Sequence, residues 1–103
     1  MIHVIATIDL QTGKRTAFLA EFHKLVPLVR AEDGCLEYGP ALDVDSGLAL
    51  QGPQRPDVVT VVEKWHDLDS LKKHLQAPHM IAYRPKVKDF VLGTKLQVLA
   101  PAE

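Results

Sequence analysis

The sequence predicts an α+β fold built on an antiparallel four-stranded sheet, and three patterns carry that expectation. Ile2, Val4, Ala6, Ile8 and Leu10 fall on every second position, with His3, Thr7 and Asp9 between them, which is the period of a strand with one face turned inward. Phe18, Phe22, Leu25, Val26 and Val29 recur at helical spacing opposite Lys14, Arg15, Glu21 and Lys24, as an amphipathic helix requires. Val58, Val59, Val61 and Val62 give β-branched side chains to both faces of a strand from Val58 to Trp65, which suits a central position.

The elements follow in order. A strand over Ile2 to Leu10 passes through Thr12 and Gly13 into a helix that ends near Arg30, where Pro27 is expected to kink or shorten it by removing a donor. A second strand is expected from Leu36 to Val44, entered through Asp33 and Gly34, with Leu36, Tyr38 and Leu42 on one side. Asp45 to Asp57 holds two glycines and two prolines and reads as a tolerated surface insertion in preference to a lid or dimer arm, since loop closure entropy grows slowly with length. After the valine-rich strand, Asp67 caps a helix with Leu68, Leu71 and Leu75 on one face, interrupted by Pro78. A further helical segment is expected from His79 to Val91, carrying Tyr83, Val87 and Phe90, and a last strand from Lys95 to Ala100, with Leu96 and Val98 pointing one way. This order matches the ferredoxin-like split βαβ arrangement, helices on one face of the sheet, in a single domain spanning residues 1–103.

Composition narrows the partners. Twelve Lys and Arg against thirteen Asp and Glu leave a formal net charge of −1, so no positive field exists to hold a phosphate backbone or an anionic membrane. The longest apolar runs fall well short of the ~20 residues of a membrane helix. A single cysteine, Cys35, forms no internal disulfide, and Met1 to Leu10 lacks a basic leader or cleavage site, so a cytoplasmic protein is expected. Helices cover one face of such a sheet, yet the valine-rich strand is apolar on both. A second copy packed sheet to sheet is the economical cover, so a homodimer is expected.

Among residues able to do chemistry, His74 stands first. Its spacing from Leu71 and Leu75 sets it at the edge of an apolar stripe, and Tyr38 and Trp65 lie on strands able to face it. A neutral imidazole there accepts a proton near neutral pH; the structural alternative is a core histidine bonded to a backbone carbonyl. His74 and His79 are five apart with Pro78 between them, which suits neither a helical ligand pair nor a tetrahedral set, so no metal is expected. Cys35 reads as a buried structural thiol. Glu63 is either a buried acid beside Trp65 or a strand-end partner for Lys or Arg. No phosphate-binding glycine loop or nucleophile elbow is present.

Three stretches read together, Glu32-Asp33-Gly34-Cys35-Leu36-Glu37-Tyr38, then Glu63-Lys64-Trp65, then Leu71, His74, Leu75, Pro78, His79 and Met80, resemble the antibiotic biosynthesis monooxygenase family, particularly its quinol monooxygenase-like members within the dimeric α+β barrel superfamily. The resemblance implies two subunits joined through their sheets, each with a pocket between sheet and helices. It also implies oxidation of a small phenol or hydroquinone by O2 without metal, flavin or other cofactor, with His74 as base and Tyr38, Trp65, His79 and Tyr83 as lining or donors. A histidine of pKa about 6.5 and a phenol near 10 differ by nearly 5 kcal/mol, which the pocket must offset by stabilising the phenolate. The haem-degrading members resemble one another in an asparagine, a tryptophan and a histidine, at places that here hold Ala6 or Thr7, His74 and Arg84, so haem degradation is not expected. Two other functions compete: an isomerase using His74 as proton shuttle, and a non-catalytic dimeric binding or stress-response module.

Overall fold

In the computed structural model, which describes Met1–Glu103, the alternating and helical periods become β1 (Ile2–Leu10), α1 (Arg15–Arg30), β2 (Cys35–Ala41), β3 (Val58–Trp65), α2 (Leu68–Leu75), α3 (Pro78–Val87) and β4 (Val91–Leu99). The four strands pair antiparallel in the order β2-β3-β1-β4. This is the split βαβ arrangement, with the valine-rich β3 inside the sheet.

Register decides what the helices cover. Val4 lies opposite Glu63, Ala6 opposite Val61 and Ile8 opposite Val59, so one face carries the buried side chains of both central strands. Phe18, Phe22, Leu25, Val26 and Val29 of α1 bury against that face. Each such side chain contributes about 1.5–3 kcal/mol when taken from water. Asp67 caps α2 as expected, accepting from the Ser70 amide at 2.8 Å. Leu71 and His74 are the buried residues of that helix, while Leu68 faces solvent.

Several boundaries differ from the sequence reading. The second strand ends at Ala41 and not Val44, because Leu42 and Val44 lie exposed with nothing beneath them. A register shift between Cys35 and Glu37 leaves Leu36 exposed while Tyr38 is buried, so the two do not share a face. Pro40 is tolerated because β2 is an edge strand. Cys35 is half-buried and not fully enclosed. Pro27 sits within α1 without ending it. The last helix begins at Pro78, a favoured first position, and stops at Val87. The final strand starts four residues earlier than Lys95, since Val91 already pairs with Leu10. The 45–57 loop is a surface segment on which Arg55 bonds both carboxylate oxygens of Asp43 at 2.8 Å. No helix is long and apolar enough to cross a membrane.

The helices stop short of β4. Leu96 and Val98 pair with Ala6 and Val4 and so point to the helix side, yet they remain 51% and 42% exposed. The sheet therefore has one bare strand, next to the largest cavity.

Candidate active site

Between α1, α2 and α3 and the helix side of the sheet lies a cavity of about 800 Å³, walled mainly by apolar side chains. Phe18 and Phe22 stack with centroids 5.5 Å apart, Tyr38 stacks on Phe22 at 5.7 Å, and Tyr83 meets Phe22 edge-on at 5.9 Å. These four rings and the β1 and β3 side chains Ala6, Ile8 and Val61 make a slot suited to a flat ring. A smaller groove of about 530 Å³ along the edge strand β2 is lined by Arg30, Val62 and the β2 residues Cys35–Ala41.

Few polar groups enter the larger cavity, and each has a defined reason for its position. His74 is 2% exposed and lies on the cavity wall. Its Nδ1 is 2.8 Å from Oε2 of Glu32, at the turn after α1. The structural alternative for His74 is thus met by a carboxylate and not by a backbone carbonyl. Glu32 is acceptor-only when ionised, so Nδ1 carries the proton and Nε2 is left as the acceptor. Nε2 has no protein partner, and no fully buried side-chain nitrogen or oxygen in the structure lacks one, so Nε2 touches the cavity. The ring is clamped by Trp65, with centroids 4.7 Å apart, and by Tyr38 at 5.4 Å. Burial lowers the His74 pKa, against the hydrogen bond and charge of Glu32 that raise it.

Glu63 is the second polar group. It is buried on β3, and Oε1 accepts the indole N–H of Trp65 at 2.8 Å. By the same reasoning Oε2, which accepts nothing, faces the cavity. Burial pushes this carboxyl up to about 7; the Trp65 bond opposes that rise and the charge of Glu32 adds to it. Burial likewise raises the phenols of Tyr38 and Tyr83, which keeps them protonated and able to donate but unfit as bases. Arg84 on α3 also reaches the wall and donates to the carbonyl of Leu75 at 2.7 Å.

Known proteins are similar to this chain in sequence and in fold. The family described as "Antibiotic biosynthesis monooxygenase" matches residues 1–86. The chain belongs to the antibiotic biosynthesis monooxygenase family. It is 40% identical over 103 residues to the "Probable quinol monooxygenase YgiN" of Escherichia coli strain K12, with 98% of each chain covered. Its fold is similar to PA3566 of Pseudomonas aeruginosa (TM-score 0.80, 24% identity, 99% of this chain and 94% of that one). It is also similar to Rv0793 of Mycobacterium tuberculosis (TM-score 0.79, 25% identity, 99% and 95%). Membership of the antibiotic biosynthesis monooxygenase family supports a monooxygenase in general.

In this monooxygenase-family chain the residues singled out from sequence fall in two places. His74, Tyr38 and Tyr83 come together on the cavity wall. Trp65 and His79 do not line it. Trp65 is fully buried behind His74 and serves the wall indirectly, as a clamp for the imidazole and a donor to Glu63. His79 sits on the far side of Glu32, its Nε2 2.7 Å from Oε2. Glu63 is the buried acid beside Trp65 rather than a partner for Lys or Arg. Sequence reasoning missed Glu32 as a working residue, because 42 positions separate it from His74; it also read Phe18 and Phe22 only as core.

Proposed function

We propose that the protein is a cofactor-independent monooxygenase that oxidises a small hydroquinone-type aromatic with O2, using His74 as the base. The observation that carries this reading is the Glu32–His74 pair at the wall of an aromatic-lined slot. Glu32 fixes the tautomer, so the imidazole presents Nε2 to a substrate hydroxyl, and burial keeps the ring neutral and ready to accept. The name of the Escherichia coli relative supports a quinol as the substrate class.

The chemistry balances without a bound redox group. A hydroquinone and O2 give a hydroxyquinone and water. The diol gives up two electrons, the ring carbon that becomes C–OH gives up two more, and O2 takes all four. One oxygen atom stays on the ring and the other leaves as water with the two hydroxyl protons. The protein's part is to take a proton from the hydroxyl, because the anion reduces O2 far more readily than the neutral diol, and to hold the ring dry among Phe18, Phe22 and Tyr38. In this reading the Glu63 carboxyl, protonated at Oε2, and the Tyr38 hydroxyl donate to the ring oxygens and so offset part of the phenol–histidine pKa gap.

The assembly in this reading is a homodimer. Val58 and Val62 of β3 and Leu99 of β4 are partly exposed apolar side chains on the sheet face away from the helices, which a second copy covers sheet to sheet. Oxygen-electrode assays with a panel of 1,4-hydroquinones test the function. Oxygen uptake that stops when the substrate is withheld supports it, whereas turnover under strict anaerobiosis points to an isomerase instead.

A further inference from the structure

We propose that Glu32 and His79 form a proton exit leading from His74 to solvent, a role that rests on His74 acting as the base. The geometry is a chain of three side chains joined at one atom. His74 Nδ1 and His79 Nε2 both contact Oε2 of Glu32, at 2.8 and 2.7 Å. Exposure rises along the chain: the side chains of His74, Glu32 and His79 are 2%, 13% and 22% exposed. The inner end faces the cavity and the outer end reaches water. His79 is therefore too far out to touch the substrate and too well placed on Glu32 to be idle.

A base buried this deeply needs such a path. When His74 takes a proton at Nε2 it becomes an imidazolium enclosed by Trp65 and Tyr38, a charge that burial disfavours. The proton on Nδ1 then passes to Oε2 of Glu32, which leaves His74 neutral. At rest His79 Nε2–H donates to the ionised carboxylate; once Glu32 holds the proton, His79 exchanges through water to its Nδ1–H tautomer and accepts that proton at Nε2, without rotation of the carboxyl. His79 then releases its Nδ1 proton to water, which restores its resting Nε2–H tautomer. No electron moves and no bond to carbon forms or breaks; when oxygen is reduced, the same path run in reverse returns one proton, so His74 regains its Nδ1–H tautomer and the overall reaction releases none. A backbone carbonyl in place of Glu32 would orient His74 equally well but would carry no proton, so the carboxylate distinguishes a relay from a mere orienting bond.

His79→Asn tests this, since the amide still donates to Glu32 but does not titrate. In low-capacity buffer the relay predicts a kcat for hydroquinone oxidation about tenfold lower, with KM within about twofold of wild type. Added imidazole, a small proton carrier, restores kcat in the variant and leaves wild type unchanged. Loss of kcat that imidazole does not restore, or no loss at all, overturns the relay. A second measurement does not depend on turnover: in 15N-labelled protein, solvent exchange of the His74 Nδ1 proton slows about tenfold in His79→Asn and is unaltered in His23→Asn, at an exposed position on α1. Equal exchange in wild type and His79→Asn overturns the relay even where the protein oxidises no quinol. Wild type inactive on every hydroquinone, but with the exchange difference intact, removes the oxygenase reading and leaves the proton path standing.

Discussion

Glu32 and His74, brought together from the turn after α1 and from α2, share a hydrogen bond of 2.8 Å at the wall of a mainly apolar cavity. One residue sets the proton position of the other, and in the proposed mechanism the pair separates two tasks: orientation by Glu32 and proton abstraction by His74.

Truncating the two partners therefore has unequal effects. His74→Ala removes the base and is expected to lower kcat by about 10²–10⁴-fold. Glu32→Gln keeps a hydrogen bond but frees the tautomer, so a smaller loss, on the order of tenfold, is expected. Steady-state kinetics on the hydroquinone that turns over best checks both, and a larger loss in Glu32→Gln than in His74→Ala contradicts the assignment.

Two buried groups give stability opposite dependences on pH. The lowered pKa of His74 means that the unfolded chain binds its proton more tightly, so this contribution is complete above the unfolded value near 6.5 and is lost as pH falls below it. Glu63, raised from 4.5 to about 7, favours the folded state fully below about 4.5, and that contribution disappears as pH rises through 7. The gap corresponds to about 3 kcal/mol. Urea denaturation of Glu63→Gln from pH 5 to pH 8 is expected to show a stability that no longer declines on the alkaline side, because the amide keeps an acceptor for Trp65 and cannot ionise. A decline equal to that of wild type assigns the slope elsewhere.

Gly34 places the turn before β2 under the start of α2. Its φ of +86° lies in the left-handed region, and a Cβ there would come 2.2 Å from Oγ of Ser70. Gly34→Ala is expected to destabilise the fold by about 2–4 kcal/mol, from strain and clash together. In the double variant with Ser70→Gly the clash term disappears while the backbone strain remains, so part of the loss is recovered. Thermal unfolding of the two single variants and the double variant measures the split, and complete additivity removes the clash from the explanation.

The apolar side chains Val58, Val62 and Leu99 on the sheet face away from the helices predict the assembly. Sedimentation equilibrium is expected to show a dimer, and Leu99→Glu, on the side of β4 away from the helices, to shift it toward monomer. A wild-type monomer across the micromolar range contradicts the sheet-to-sheet arrangement.

Much of this was legible in the sequence because periodicity reports directly on burial. The alternation in Ile2–Leu10 and the spacing from Phe18 to Val29 placed the central strand and the long helix within a residue or two of their observed limits. The helix–strand boundary near Phe90 was not legible, since Phe90, Val91 and Leu92 form a short apolar run that suits either period. His74 was legible because a polar residue interrupts an apolar stripe. Its partner was not: Glu32 looks like any acid in a turn until the chain brings α2 back over it. Trp65 and His79 were read as lining or donors beside His74, whereas their positions depend on depth, one behind the imidazole and one outside Glu32, and one-dimensional spacing carries no depth.

The central claim is that this chain inserts oxygen into a hydroquinone through His74, and isotope labelling tests it most directly. With 18O2 and a 1,4-hydroquinone, wild-type protein is expected to give a hydroxyquinone carrying one 18O atom, and His74→Ala, folded as judged by Trp65 fluorescence, to give little product. Product without the label, or equal labelled product from His74→Ala, contradicts the account.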